Sequence, residues 1–246
     1  MNTILRRSLF CASLAGSLFG LSTAASAEEK SVASVATAAT AEELMAVAHH
    51  GRGEWTQFPG FEANIVATSD GSQVAGKLIV TRDGKISVET TDGNTPDWLQ
   101  RTLNSVIGHR LTSHDAITGV AFADDQIHHP HGRLLKSTTE GDPTLWRVQG
   151  DVLTEVQRFS ENSRFTISVG DVWRNAEGKH LPQNYQVTTW ELPSNQIKSV
   201  RQIHNEWTRV EGIDLPTLHL AVTSHSGKPT TSQQIRLTGH KLLRTN

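Results

Sequence analysis

From residue 61 to 69 the chain alternates. Phe61, Ala63, Ile65 and Ala67 fall on one side and Glu62, Asn64 and Thr68 on the other, the two-residue period of a half-buried strand. Residues 74–81 repeat the pattern with Leu78 and Val80 opposite Lys77 and Thr81, and residues 85–90 repeat it with Ile86 and Val88. Asp70-Gly71 and Asp83-Gly84 part the three runs. Such dipeptides tolerate positive φ and close tight turns. The stretch predicts an antiparallel meander with one dry face and one wet face.

The period then lengthens. Thr95-Pro96 predicts an N-cap followed by proline at the first helical position, where a backbone donor is not needed. Trp98, Leu99, Leu103, Val106 and Ile107 follow at helical spacing, which predicts an amphipathic helix laid on the sheet. Trp98 reads as core filler. An earlier helix starts at Thr40. Thr40-Ala41-Glu42-Glu43 has the form of a capping box, worth about 1 kcal/mol. Leu44, Val47 and Ala48 supply its apolar stripe, Gly51 and Gly53 end it, and His49-His50 sits in its last turn, where positive charge suits the carbonyl end.

Beyond residue 110 the strand rhythm returns. A weak run at 116–123 precedes a polar loop at 124–132. Further runs fall at 134–138, 145–149, 151–159, 165–169, 185–192, 197–211, 218–222 and 232–243. Strands at intervals of roughly ten residues with turns between them mark an antiparallel sheet, sandwich or barrel. The expected fold is mainly β (α+β): a single strongly curved antiparallel sheet, or unclosed β-barrel, with the two helices of the N-terminal half covering its concave side. One domain is expected over 40–246, after a flexible lead at 28–39.

Residues 1–27 have the form of a secretory leader: Arg6-Arg7, an apolar stretch to Leu21, and Ala25-Ser26-Ala27 as the cleavage site. The one cysteine, Cys11, lies inside it, so the exported chain, periplasmic or extracellular, is expected to fold without disulfides and to rely on its core. The net charge is −2 and becomes more negative once Arg6 and Arg7 are lost. That balance argues against nucleic-acid binding, which needs clustered Lys and Arg. No later stretch is apolar for long enough to be a transmembrane helix.

Two resemblances follow. The run Gly76-Lys77-Leu78-Ile79-Val80-Thr81-Arg82-Asp83-Gly84-Lys85, the order helix, meander, helix, strands, and the late Gly212-Ile213-Asp214-Leu215-Pro216 resemble the periplasmic lipoprotein carriers of the LolA and LolB type. That likeness implies an unclosed barrel. Trp55, Phe58-Pro59-Gly60-Phe61, Gly76-Lys77, Trp98 and Ile107-Gly108-His109-Arg110 resemble, more closely, an uncharacterised and largely cyanobacterial family of unknown function. This second likeness implies one fold over about 42–243 and carries no catalytic residue across.

Chemistry is sparse. His128, His129 and His131 flank Pro130, and neutral imidazoles there are weak candidates for a metal site, which needs three or four ligands. His109 and His114 are further histidines that nothing in the sequence brings near. The alternative for the loop is a surface turn. No Gly-x-Ser-x-Gly elbow is present, Asp124-Asp125 reads as a solvated pair, and no glycine loop has phosphate-cradling spacing. Trp55, Trp98, Trp146, Trp173, Trp190 and Trp207 are spread along the chain and are expected mostly in the core, some lining a concave apolar pocket. The expectation is an exported, non-enzymatic protein without cofactor, binding a hydrophobic or lipid-like ligand beneath its helices. The alternatives are a metal protein built on the histidine loop and a structural envelope module that binds protein.

Overall fold

The computed structural model describes residues 40–91, 93–111, 119–141 and 143–243. The leader and lead expected at 1–39, and positions 116–118 of the weak run, lie outside the described residues. The meander is β1 (Phe61–Ser69), β2 (Ser72–Val80) and β3 (Ile86–Thr90). Then come β4 (Val120–Phe122), β5 (Arg133–Ser137), β6 (Thr144–Gln149) and β7 (Val152–Ser160). The long strands are β8 (Ser163–Arg174), β9 (His180–Glu191), β10 (Gln196–Val210), β11 (Ile213–His225) and β12 (Lys228–Leu242).

These strands form one sheet in the order β3-β2-β1-β12-β11-β10-β9-β8-β7-β6-β5-β4. All its pairings are antiparallel. Pairing of β1 with β12 joins the meander to the chain's last strand. The short strands β3 and β4 are left as the two edges, so the sheet is unclosed. Register shifts interrupt the pairings of β12 with β1 and β11, of β10 with β9 and β11, of β6 with β7 and of β8 with β9. Bulges of this kind bend a strand and tighten its twist, which curves the sheet.

Directly paired residues share a face, and a row of them can be followed across the sheet. Leu78 pairs Ala63, Ala67 pairs Ile235, Ile235 pairs His219, and His219 pairs Asn205. On the same face Ile203 pairs Tyr185, Tyr185 pairs Val169, Ile167 pairs Val156, Val156 pairs Trp146, Trp146 pairs Leu135 and Leu135 pairs Phe122. Both helices lie on this inner face, at opposite ends.

Helix α1 (Ala41–Gly51) carries the capping box read from the sequence: Glu43 N–H donates to Thr40 Oγ1 at 3.1 Å and Thr40 N–H to Glu43 Oε2 at 3.0 Å. Its Leu44, Met45 and Ala48 pack on Val120, Leu135 and Val148, with Trp146 and Phe122 beside them. Helix α2 (Asp97–Gly108) packs Leu99, Leu103 and Ile107 on Ile65, Leu78, Val80 and Leu237. One expectation fails here. Thr95 does not cap α2; Pro96 takes that position without a side-chain bond, and the Thr95 hydroxyl donates to Val88 O at 3.2 Å, tying the helix entry to β3. Among the described residues no helix is long and apolar enough to cross a membrane.

Candidate functional site

Because α1 sits over β4–β7 while β1 lies toward the other edge, residues 52–60 must cross the sheet. They run along the end where β9 and β11 begin and β8 and β10 finish. Gly53 N–H donates to His180 O at 2.7 Å, Trp55 N–H to Arg110 O at 2.6 Å, and the Trp55 indole to Asp214 O at 2.8 Å. Trp55 is buried and stacks on Phe58 at 4.3 Å. At the start of the crossing Gly51 presses on the β6–β7 turn so closely that a Cβ would stand 2.5 Å from Asp151 O. This strap closes one end of the inner face.

Between the two helices the inner face belongs to neither core. Val156, Ile167, Val169, Tyr185 and Val187 are each half-buried, although the register puts them in line with the buried Leu135 on one side and Ile235 on the other. Among the described residues α1 packs only on the β4–β7 end and α2 only on the β1–β3 end with β11 and β12, which leaves these side chains partly exposed. Beneath α2 lies a void of ≈ 10 Å³ lined by Leu103, Val106, Pro216, Leu218, His219, Ile235 and Leu237, room for about one water-sized sphere. Among the described residues Val156, Ile167, Val169, Tyr185 and Val187 form a strip that neither helix covers.

Polar groups gather beside this strip. His219 is 5% exposed; its Nδ1 lies 2.8 Å from Asn205 Oδ1. Asn205 Nδ2 donates to Pro182 O at 3.1 Å, so its oxygen is the acceptor and His219 Nδ1 carries the proton. That leaves the buried Nε2 as a lone pair, and it has no partner among the described residues. Burial, helped by the charge of Arg201, lowers the His219 pKa to about 4, so the ring is neutral at pH 7. Burial raises the Tyr185 phenol, against a hydrogen bond with Asn205 and the charges of Arg201 and Arg110. Arg201, on the same face and directly opposite Val187, has a buried Nε without a partner among the described residues. Arg110 is 4% exposed, donates to Gly53 O at 3.0 Å and lies over the Trp207 ring at 5.8 Å. Its pKa falls to about 10, chiefly through burial.

The sequence-based candidates lie elsewhere. His128 and His131 are exposed and His129 is half-buried, on the loop between β4 and β5. The rings of His129 and His131 are 5.9 Å apart, but His131 N–H occupies His129 Nδ1 at 3.1 Å. Among the described residues no group of three His, Cys, Asp or Glu is placed to hold a metal. Asp124 pairs with Arg147 at 3.5 Å. His109 caps α2, and His114 lies outside the described residues. Of the tryptophans, Trp55 is core and Trp98, Trp146, Trp173, Trp190 and Trp207 are half-buried. Arg201 and His219 were missed as candidates. Their signal was a charged or titratable residue standing in the apolar register of a strand: Arg201 before Ile203, His219 before Ala221.

A family described as a protein of unknown function, DUF3386, matches residues 36–243. The chain belongs to this family. The DUF3386 match takes in α1, the strap, α2 and the whole sheet, and it includes the Trp55, Phe58–Phe61 and Ile107–Arg110 positions on which the resemblance rested. Among solved structures, a LolA superfamily protein from Nitrosomonas europaea is similar at TM-score 0.36 and 10% identity, over 85% of this chain and 96% of that one. No protein of curated function matches in sequence.

Proposed function

We propose that this DUF3386 protein is an exported, non-enzymatic binder of a hydrophobic or lipid-like molecule, held on the inner face of the sheet between α1 and α2. The observation that carries the reading is the strip Val156, Ile167, Val169, Tyr185 and Val187, half-buried on three adjacent strands. Contiguous apolar surface left to water costs free energy in proportion to its area, about 25 cal/mol per Å², and concave surfaces of this kind mark binding sites. The strap closes one end of the strip, so a long apolar chain would enter from the other. The polar groups beside it, an imidazole, an amide, a phenol and guanidinium groups, suit holding a ligand. The leader form of residues 1–27 supports export, to the periplasm or outside the cell.

Extraction of the purified protein with organic solvent, followed by mass spectrometry, tests the reading. A co-purifying lipid, or saturable binding of a fluorescent fatty-acid probe to the stripped protein, is the expected result. No extractable lipid together with no probe binding would remove it.

A further inference from the structure

We infer that Arg201 and His219 form the head-group site of this ligand and select a carboxylic acid at the end of the apolar chain. The inference rests on the proposed binding function and names the chemistry of the molecule bound.

Three observations meet at one place. His219 is nine-tenths buried or more, and its Nε2 is a buried hydrogen-bonding atom without a partner among the described residues. An unmade hydrogen bond of that kind is expensive to bury and is found where a ligand or water completes it. The same imidazole is the one titratable side chain lining the void beneath α2; the other lining residues are Leu, Val, Pro and Ile. Arg201, four residues from Asn205 on β10, faces the same side of the sheet as His219 and Tyr185, and its charge acts on both of them. It is half-buried, its Nε is buried and unpartnered, and among the described residues no carboxylate forms an ion pair with it. A cation withdrawn from water without a counter-charge is costly, and an anion restores the balance.

A carboxyl group satisfies both atoms at once. One oxygen accepts from the Arg201 guanidinium, a charge-assisted bond. The other shares a proton with His219 Nε2, which a lone pair facing a fully ionised carboxylate could not do. Taking up an ionised acid therefore brings one proton from solvent. The groups that face His219 are Arg201 from β10 and, through Asn205, Tyr185 from β9. Helix α2 offers only Leu103 and Val106, and β12 offers Ile235 and Leu237. No acidic group among these competes for the site. The hydrocarbon tail then lies along Val187, Ile167 and Val156, which the register places in sequence across β9 to β7.

The experiment titrates the full protein with palmitate and with hexadecanol, which differ only at the head. Wild type is expected to bind palmitate about tenfold or more tighter than the alcohol. Arg201→Leu is expected to weaken palmitate until its affinity lies within about twofold of that variant's affinity for hexadecanol, and Arg201→Lys to keep part of the preference. Thermal melts establish that both variants fold; Arg201 is the residue to change because its half-exposed position spares the core. Equal binding of acid and alcohol by wild type, or a preference that survives Arg201→Leu, overturns the head-group site and leaves the binding function standing. Failure to bind either molecule overturns the binding function and this assignment with it.

Discussion

Asp151 accepts both guanidinium nitrogens of Arg174, at 2.7 and 2.9 Å, in the turn on which the end of α1 rests. His180 Nδ1 stands 3.9 Å away, at the residue whose carbonyl takes the strap's Gly53 N–H. Burial alone would raise the Asp151 pKa; the Arg174 hydrogen bonds outweigh it and hold the carboxyl well below the usual range. A depressed carboxylate stabilises the fold at pH values above its unfolded pKa of about 4, and that stability is lost as pH falls toward the folded value. Asp151→Asn should cost about 1–2 kcal/mol at pH 7, a figure reduced for the exposure of Arg174, and about 1 kcal/mol less near pH 3, about one unit into the window. Urea denaturation at the two pH values checks this; an equal loss at both would contradict the pairing.

His219 adds an earlier step. Its folded pKa of about 4 lies below that of an unfolded histidine, near 6.5. The unfolded chain therefore binds the extra proton first, and stability falls as pH drops from about 6.5 to about 4, then levels off for this group. The span corresponds to about 3 kcal/mol at most. In His219→Gln the difference between stability at pH 7 and pH 4.5 should shrink by about 2 kcal/mol. Chemical denaturation of both proteins at those pH values measures it, and an unchanged difference would mean that the imidazole is not buried neutral.

Trp55 ties the strap to the sheet. Trp55→Phe keeps most of the ring packing and loses the indole bond to Asp214 O, which is 2.8 Å long; about 1 kcal/mol should go. Trp55→Ala also leaves a cavity against Phe58 and Phe61 and should cost about 3–5 kcal/mol. Melting curves of the two variants should separate clearly. If both lose the same amount, the packing part of this account is wrong.

Gly76 sits in β2 opposite Ile65 and Thr90. A Cβ there would lie 2.0 Å from the Glu89 carbonyl oxygen, so β3 approaches β2 more closely than any side chain allows. Gly76→Ala should lower stability by about 2 kcal/mol and weaken amide protection in β3 before the rest of the sheet. Hydrogen exchange followed by mass spectrometry resolves the order; uniform loosening would show that the clash is relieved elsewhere.

Much of this architecture was legible locally. Asp70-Gly71 and Asp83-Gly84 make the meander's turns, and the Thr40 capping box starts α1 where its residue types require. Strand ends were harder. β9 begins at His180, several residues before the alternation at Tyr185, because Pro182, Gln183 and Asn184 carry no apolar period. Thr95 looked like a cap because Pro96 followed it, but its hydroxyl found a carbonyl on β3 instead. The separation of the helices depends on β1 pairing with β12, a contact between distant parts of the chain that no local pattern encodes. The inner polar group was hidden for the same reason: Arg201 and His219 share a face only once β10 and β11 are in register.

The central claim is that the strip between the helices takes up an apolar chain. Titrate a fluorescent fatty acid into wild type, Ile167→Glu on the inner face, and Gln186→Glu, whose position next to Val187 in β9 puts it on the opposite face. Saturable binding by wild type and Gln186→Glu, with at least about tenfold weaker binding by a folded Ile167→Glu, is the result this account predicts. Equal affinity in all three would contradict it.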